Sequence, residues 1–229
     1  MSRENLINIV QNSHKKSLNE IGQHHLSGET YLFVKDPLPE NINIANVINF
    51  VKKRIPAHLI SLLDIIYVGQ FDIFNDRKIN AAYKDGALYI TNQQDDENDM
   101  IDDIVHELAH AVEEKYRDIL YDDDELAQEF LRKREALRRV LKYEGFLFDN
   151  NSFMKTEYDA DFDMFLLGKV GYPLLKTVSR HIFASPYAAT SLSEYYADGF
   201  EDYFLGKRRS LKEISPILYS KLEEIKDEI

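Results

Sequence analysis

The sequence predicts an α+β fold: a small mixed sheet lobe, then a mostly helical lobe, with one site-bearing helix between them. Three observations predict it. The first 91 residues hold short strand-like runs between helical segments, a mixed α/β pattern. An Asp-Gly dipeptide, Asp85-Gly86, joins two of those runs as a hairpin. From Asp99 onward, apolar residues recur at helical spacing.

Taken in order, residues 4–21 place Leu6, Ile9, Val10 and Leu18 at roughly helical spacing, and a polar linker fills 22–30. Tyr31–Val34 reads as a strand, closed by a loop containing Pro37 and Pro39. Ile42–Ile55 has helical periodicity, and Pro56 can open a further turn. Asp64–Gln70 is β-branched and reads as a strand, as do Ile79–Tyr83 and Ala87–Thr91 on either side of the hairpin turn. Asp99 is the expected cap of a helix carrying Ile101, Ile104, Val105, Leu108 and Val112. Further helices are expected over Glu125–Tyr143, Glu157–Leu167, Tyr172–Ile182, Ser191–Leu205 and Pro216–Ile229, with Gly145, Gly168, Gly171 and Gly206 as stops.

Composition narrows the function. With 44% apolar residues among 229, the chain can bury a sizeable core. A net charge of −12 argues against nucleic acid, whose phosphates need clustered Lys and Arg. There is no cysteine, so disulfides, thiol nucleophiles and thiolate metal sites are excluded together. The longest apolar stretch, Leu59–Val68, is interrupted by Asp64 and is too short to span a bilayer. No signal-type apolar core follows Met1. The expectation is a soluble cytoplasmic chain with no membrane partner; unconventional export stays open.

The chemistry is carried by His106-Glu107-Leu108-Ala109-His110, which matches H-E-x-x-H. Residues four apart share one helix face, so both imidazoles can grip one ion. Glu107 sits beside them as a general base for a water. A catalytic zinc needs a third protein ligand and an open position. Glu113 and Tyr116 stand where a metzincin would have Gly and His. That leaves a downstream carboxylate or His181. Ser193-Glu194-Tyr195-Tyr196-Ala197-Asp198 is the strongest candidate, because Glu194 and Asp198 are four apart on an expected helix. One can ligate while the other holds a ligand histidine by its second ring N–H. Asp159, Asp161 and Asp163 are the alternative source of a third ligand.

This set resembles the gluzincin family that contains the catalytic domain of anthrax lethal factor and the Pro-Pro endopeptidases. The resemblance rests on His106–His110, Tyr187 and Glu194-Tyr195-Tyr196-Ala197-Asp198-Gly199-Phe200. It implies a zincin-like catalytic domain over 31–229, with the sheet lobe and motif helix in 31–120 and the helical lobe in 121–229. It implies one Zn2+ per chain on His106, His110 and Glu194, with Asp198 at the family's second acidic position. It also implies that Tyr187 points at the zinc-bound oxygen. The strand Ala87, Leu88, Tyr89, Ile90 and Thr91 is then expected at the sheet edge, pairing with an extended substrate. The stretch from His110 to Glu194 is much longer here than in those relatives, and the N-terminal half shows no match, so substrate choice does not carry over.

Acidic residues cluster at Asp95–Asp103 and Asp122–Glu125. They read either as a negative rim favouring basic peptides or as solvated loops with charge at a helix N-terminus; the second is preferred. The expected function is a zinc endopeptidase acting on a protein or peptide. The alternative is a non-catalytic or regulatory metal-binding protein that engages a basic protein partner.

Overall fold

The structure is a computed structural model that describes residues 21–77 and 79–228. The N-terminal helix expected up to residue 21 falls on residues outside that description. The chain divides into two compact units, Met1–Ala111 and Val112–Ile229, and the division runs through one helix, Glu97–Lys115.

The first unit contains β1 (Gly22–Ser27), β2 (Thr30–Val34), α1 (Ile44–Arg54), α2 (Ala57–Ile60), β3 (Ile65–Val68), α3 (Asp72–Arg77), β4 (Ala81–Lys84), β5 (Ala87–Ile90) and most of α4 (Glu97–Lys115). The strands form one mixed sheet in the order β1-β2-β3-β5-β4. The outer pairs are antiparallel and β2-β3-β5 is parallel. Registration puts Leu32, Ile66 and Leu88 in one row and Val34, Val68 and Ile90 in the next, all fully buried. Each such side chain contributes about 1.5–3 kcal/mol by burial. The opposite face carries Phe33, Tyr67 and Tyr89, with the rings of Tyr67 and Tyr89 stacked 5.5 Å apart. Val47 and Val51 of α1, and Met100, Ile104, Val105 and Leu108 of α4, add to this unit's core.

Two expectations are corrected here. The segment expected as a linker holds β1, whose polar sequence is tolerated because it lies at the sheet edge. The strand Ala87–Ile90 is interior, paired to β3 on one side and β4 on the other, so an edge role for Ala87, Leu88, Tyr89, Ile90 and Thr91 is overturned. The edge falls to β4, the less apolar arm of the hairpin. Asp85 (φ 50°) and Gly86 (φ 80°) make the two-residue turn, as the Asp-Gly pair demands.

The second unit begins with the last turn of α4 and continues with α5 (Arg117–Tyr121), α6 (Glu125–Tyr143), α7 (Ala160–Asp163), α8 (Tyr172–Ser179), α9 (Leu192–Leu205), α10 (Arg208–Ile214) and α11 (Pro216–Asp227). The helix expected over Glu157–Leu167 is instead a short α7 followed by a wide π turn, Met164–Gly171. Gly171, at φ 85°, separates that turn from α8. In α6, Leu126, Phe130, Leu137 and Leu141 form a buried stripe. The same helix buries two charges. Glu129 accepts from Tyr195 Oη at 2.8 Å and from the backbone N–H groups of Ile217 and Leu218, so it caps α11. Arg134 donates to the carbonyls of Ser152, Lys155 and Thr190 and lies over the Phe162 ring. It thereby ties the segment after α6 to the approach of α9. Gly199 lets α9 and α11 come close: a Cβ there would stand 2.2 Å from Leu218 Cδ2.

Candidate metal centre

The motif helix α4 starts three residues earlier than expected. Asp96, not Asp99, is its cap: Asp96 Oδ1 accepts the N–H groups of Asn98 and Asp99 at 2.7 and 3.0 Å. Asp99 reaches back to the N–H of Asp95 at 3.1 Å, and Glu97 accepts from Asn43 and Asn46. Asp103 accepts from Gln94 Nε2 at 2.8 Å. Much of the first acidic cluster is therefore used in building the helix start. In the second cluster, Asp123 binds Lys221 Nζ at 2.5 Å and the N–H of Glu125 at 3.0 Å. In both clusters, then, carboxylates accept N–H groups at a helix start.

On α4, Ile104, Val105, Leu108, Ala109, Ala111 and Val112 are buried, while His106, Glu107 and His110 are half-buried on the remaining face. The two imidazole centroids are 5.3 Å apart with their planes at 78°. That is the arrangement one helical turn imposes. Glu107 Oε2 accepts the backbone N–H of Tyr83 at 2.7 Å. Tyr83 lies on β4, opposite Leu88 in the hairpin, one residue out of phase with the bonded pair Lys84 and Ala87 beside the turn. Its N–H therefore faces away from β5, and it fixes the orientation of the carboxylate. The motif alone did not reveal this contact.

Asp103 titrates at about 6 rather than 3.8, chiefly because burial disfavours its charged form. The bond from Gln94 opposes the shift, and the charges of Asp99 and Glu107 add to it.

In the second unit, Glu113, three residues after His110 on α4, accepts two short hydrogen bonds. One comes from Tyr121 Oη at 2.5 Å and the other from Ser193 Oγ at 2.6 Å. Ser191 caps α9 by accepting the N–H of Glu194 at 3.1 Å, which puts Glu194 in the first turn of that helix. A carboxylate is favoured there by the helix dipole. Asp198 and Glu201 follow at the spacing of one face, Asp198 buried and Glu201 partly so. Sequence reading missed Glu201, Glu113 and Ser193. The signal for Glu113 was its position one turn beyond His110; for Glu201 it was the continuation of the Glu194–Asp198 stripe.

Tyr187 begins the short turn Tyr187–Ala189, with its side chain at the surface. Its N–H donates to Ser185 Oγ at 3.0 Å, and its carbonyl accepts from Thr190 Oγ1 at 2.8 Å and N at 2.9 Å. The alternative ligands have local tasks. Asp159 caps α7 and binds Lys155 at 2.7 Å, and Asp163 accepts from Tyr158 Oη. No cluster of ligand-type side chains among the described residues includes His181 or Asp161.

No helix among the described residues is long and apolar enough to cross a membrane. No family model, curated protein or solved structure matches this chain, so the likeness to the lethal factor family rests on the motif residues.

Proposed function

We propose that this chain is a zinc-dependent endopeptidase whose ion is held by His106, His110 and Glu194. One observation carries the reading: His106 and His110 stand one helical turn apart on α4 with their ring centroids 5.3 Å apart, and Glu107 beside them is held by the Tyr83 N–H. Two imidazoles and one carboxylate are the donor set of a catalytic zinc, with a position left for water and substrate. A zinc ion held there supplies a Lewis acid and lowers the pKa of a water molecule.

The protein's own groups do the rest. Glu107 takes the proton of the attacking water and returns it to the leaving amine. Its bond to the Tyr83 N–H holds the carboxylate in one orientation, which reduces the reorganisation needed at each transfer. Asp198 and Glu201 continue the face of α9 that carries Glu194, and Asp198 is the candidate partner of a ligand histidine. A carboxylate beside a ligand imidazole holds its tautomer and raises its basicity. Tyr187 is the candidate donor to the oxygen on which charge develops.

The test compares metal content and peptide cleavage in the wild type, His110→Ala and Glu194→Ala. Both variants should lose stoichiometric zinc and cleavage together. Full zinc in Glu194→Ala, with loss on substituting Asp159, Asp161 or Asp163, would move the third ligand elsewhere.

A further inference from the structure

A pocket of about 600 Å³ in the second unit has a charge opposite to that of the whole chain. Lys176, Arg180 and Lys207 line it, and none of its lining residues is a carboxylate. The chain as a whole has 40 acidic and 28 basic side chains. Lys176 and Arg180 are four apart at the end of α8, so they project from one face. Like charges at that spacing repel, offset in part by the helix C-terminus. Lys207 is paired with Asp202 at 2.7 Å, so a net excess of two positive charges remains in the pocket.

The other walls say what kind of anion fits. Tyr172, half-exposed, presents aromatic surface, Phe183 lies buried behind the wall, and Ser185 and Pro186 close one side. A bare inorganic anion would leave most of such a volume to water, whereas a side chain with flanking backbone matches it. The wall also continues to Tyr187. Ser185 Oγ accepts the N–H groups of Tyr187 and Ala188 at 3.0 and 3.3 Å, so the pocket's rim and Tyr187 are one hydrogen-bonded turn.

We propose that this pocket binds the carboxylate of an acidic residue in a protein substrate, through Lys176, Arg180 and Lys207, and anchors the substrate beside Tyr187. The word substrate rests on the endopeptidase reading; the binding itself does not.

The experiment uses fluorescein-labelled hexaglutamate as probe and fluorescence anisotropy as readout, on the full chain with and without zinc, at low salt. Binding should be equal in the two forms. It should weaken about tenfold or more in Lys176→Gln/Arg180→Gln, through loss of charge complementarity. Lys52→Gln/Lys53→Gln on α1 changes net charge equally and should bind like the wild type. Inorganic phosphate should displace the probe only at far higher concentration. The proposal is overturned by no binding to the wild type, or by equal affinity in the pocket variant. Equal loss in the α1 variant, or displacement by phosphate as readily as by unlabelled hexaglutamate, overturns it as well. Circular dichroism checks that the variants fold. If hexaglutamate binds as expected but no peptide is cleaved, the pocket stands and the peptidase reading falls.

Discussion

Ser193 Oγ donates to Glu113 at 2.6 Å, so the residue before Glu194 is tied to α4 one turn beyond His110. Glu113 is itself held by Tyr121 Oη. The bond fixes how the first turn of α9 is presented, and a ligand's support is part of its affinity. Ser193→Ala should therefore weaken zinc binding by about 10–100-fold, the usual effect of losing an outer-shell partner. Competition with a chromophoric chelator measures it. Unchanged affinity would mean that Glu194 is positioned by its own helix alone.

Glu107→Gln should keep zinc and lose hydrolysis. Glutamine retains an amide oxygen that can accept the Tyr83 N–H, so the geometry at β4 survives while the base is gone. The expected loss in kcat is about 10²–10⁴-fold. Turnover near that of the wild type, on any peptide found by library profiling, would sink the mechanism.

Tyr187→Phe removes one hydroxyl from a surface ring whose backbone is anchored by Ser185 and Thr190. Folding and zinc content should not change. If the phenol supports the developing oxyanion, kcat falls by about 10²-fold or more while KM barely moves. An equal fall in kcat/KM arising from KM alone would assign the ring to substrate binding.

The sequence made the helical half and the motif helix legible because their apolar periodicity is dictated by burial, as in Leu126–Leu141 of α6. The hairpin was legible from Asp85-Gly86, since few other residues accept positive φ at both positions. Strand order was not. Nothing local in Ala87–Ile90 says that β3, some 20 residues earlier, pairs with it in parallel. β1 was missed because an edge strand needs no apolar alternation. The candidate ligands were read from spacing, but the hydrogen bonds around them were not. The Tyr83 contact is made by a backbone N–H, which has no sequence signature, and Ser193–Glu113 joins residues 80 apart.

Asp103 gives a prediction about stability rather than turnover. Its carboxyl titrates at about 6 in the fold, against 3.8 for an ordinary aspartate, mainly because of burial. Between those values the folded chain holds a proton that the unfolded chain has released. Stability therefore falls as pH rises through this window, and the penalty is complete above about pH 6. Asparagine keeps the shape, and its oxygen can still accept from Gln94 Nε2. In zinc-free protein, Asp103→Asn should be more stable than the wild type at pH 7.5 by on the order of 1–2 kcal/mol. At pH 4, where the aspartate is already neutral in the fold, the gain should largely vanish. Urea unfolding at the two pH values measures the difference. A gain of equal size at both, or a loss at pH 7.5, would mean that the ionised carboxylate is not the source of the cost.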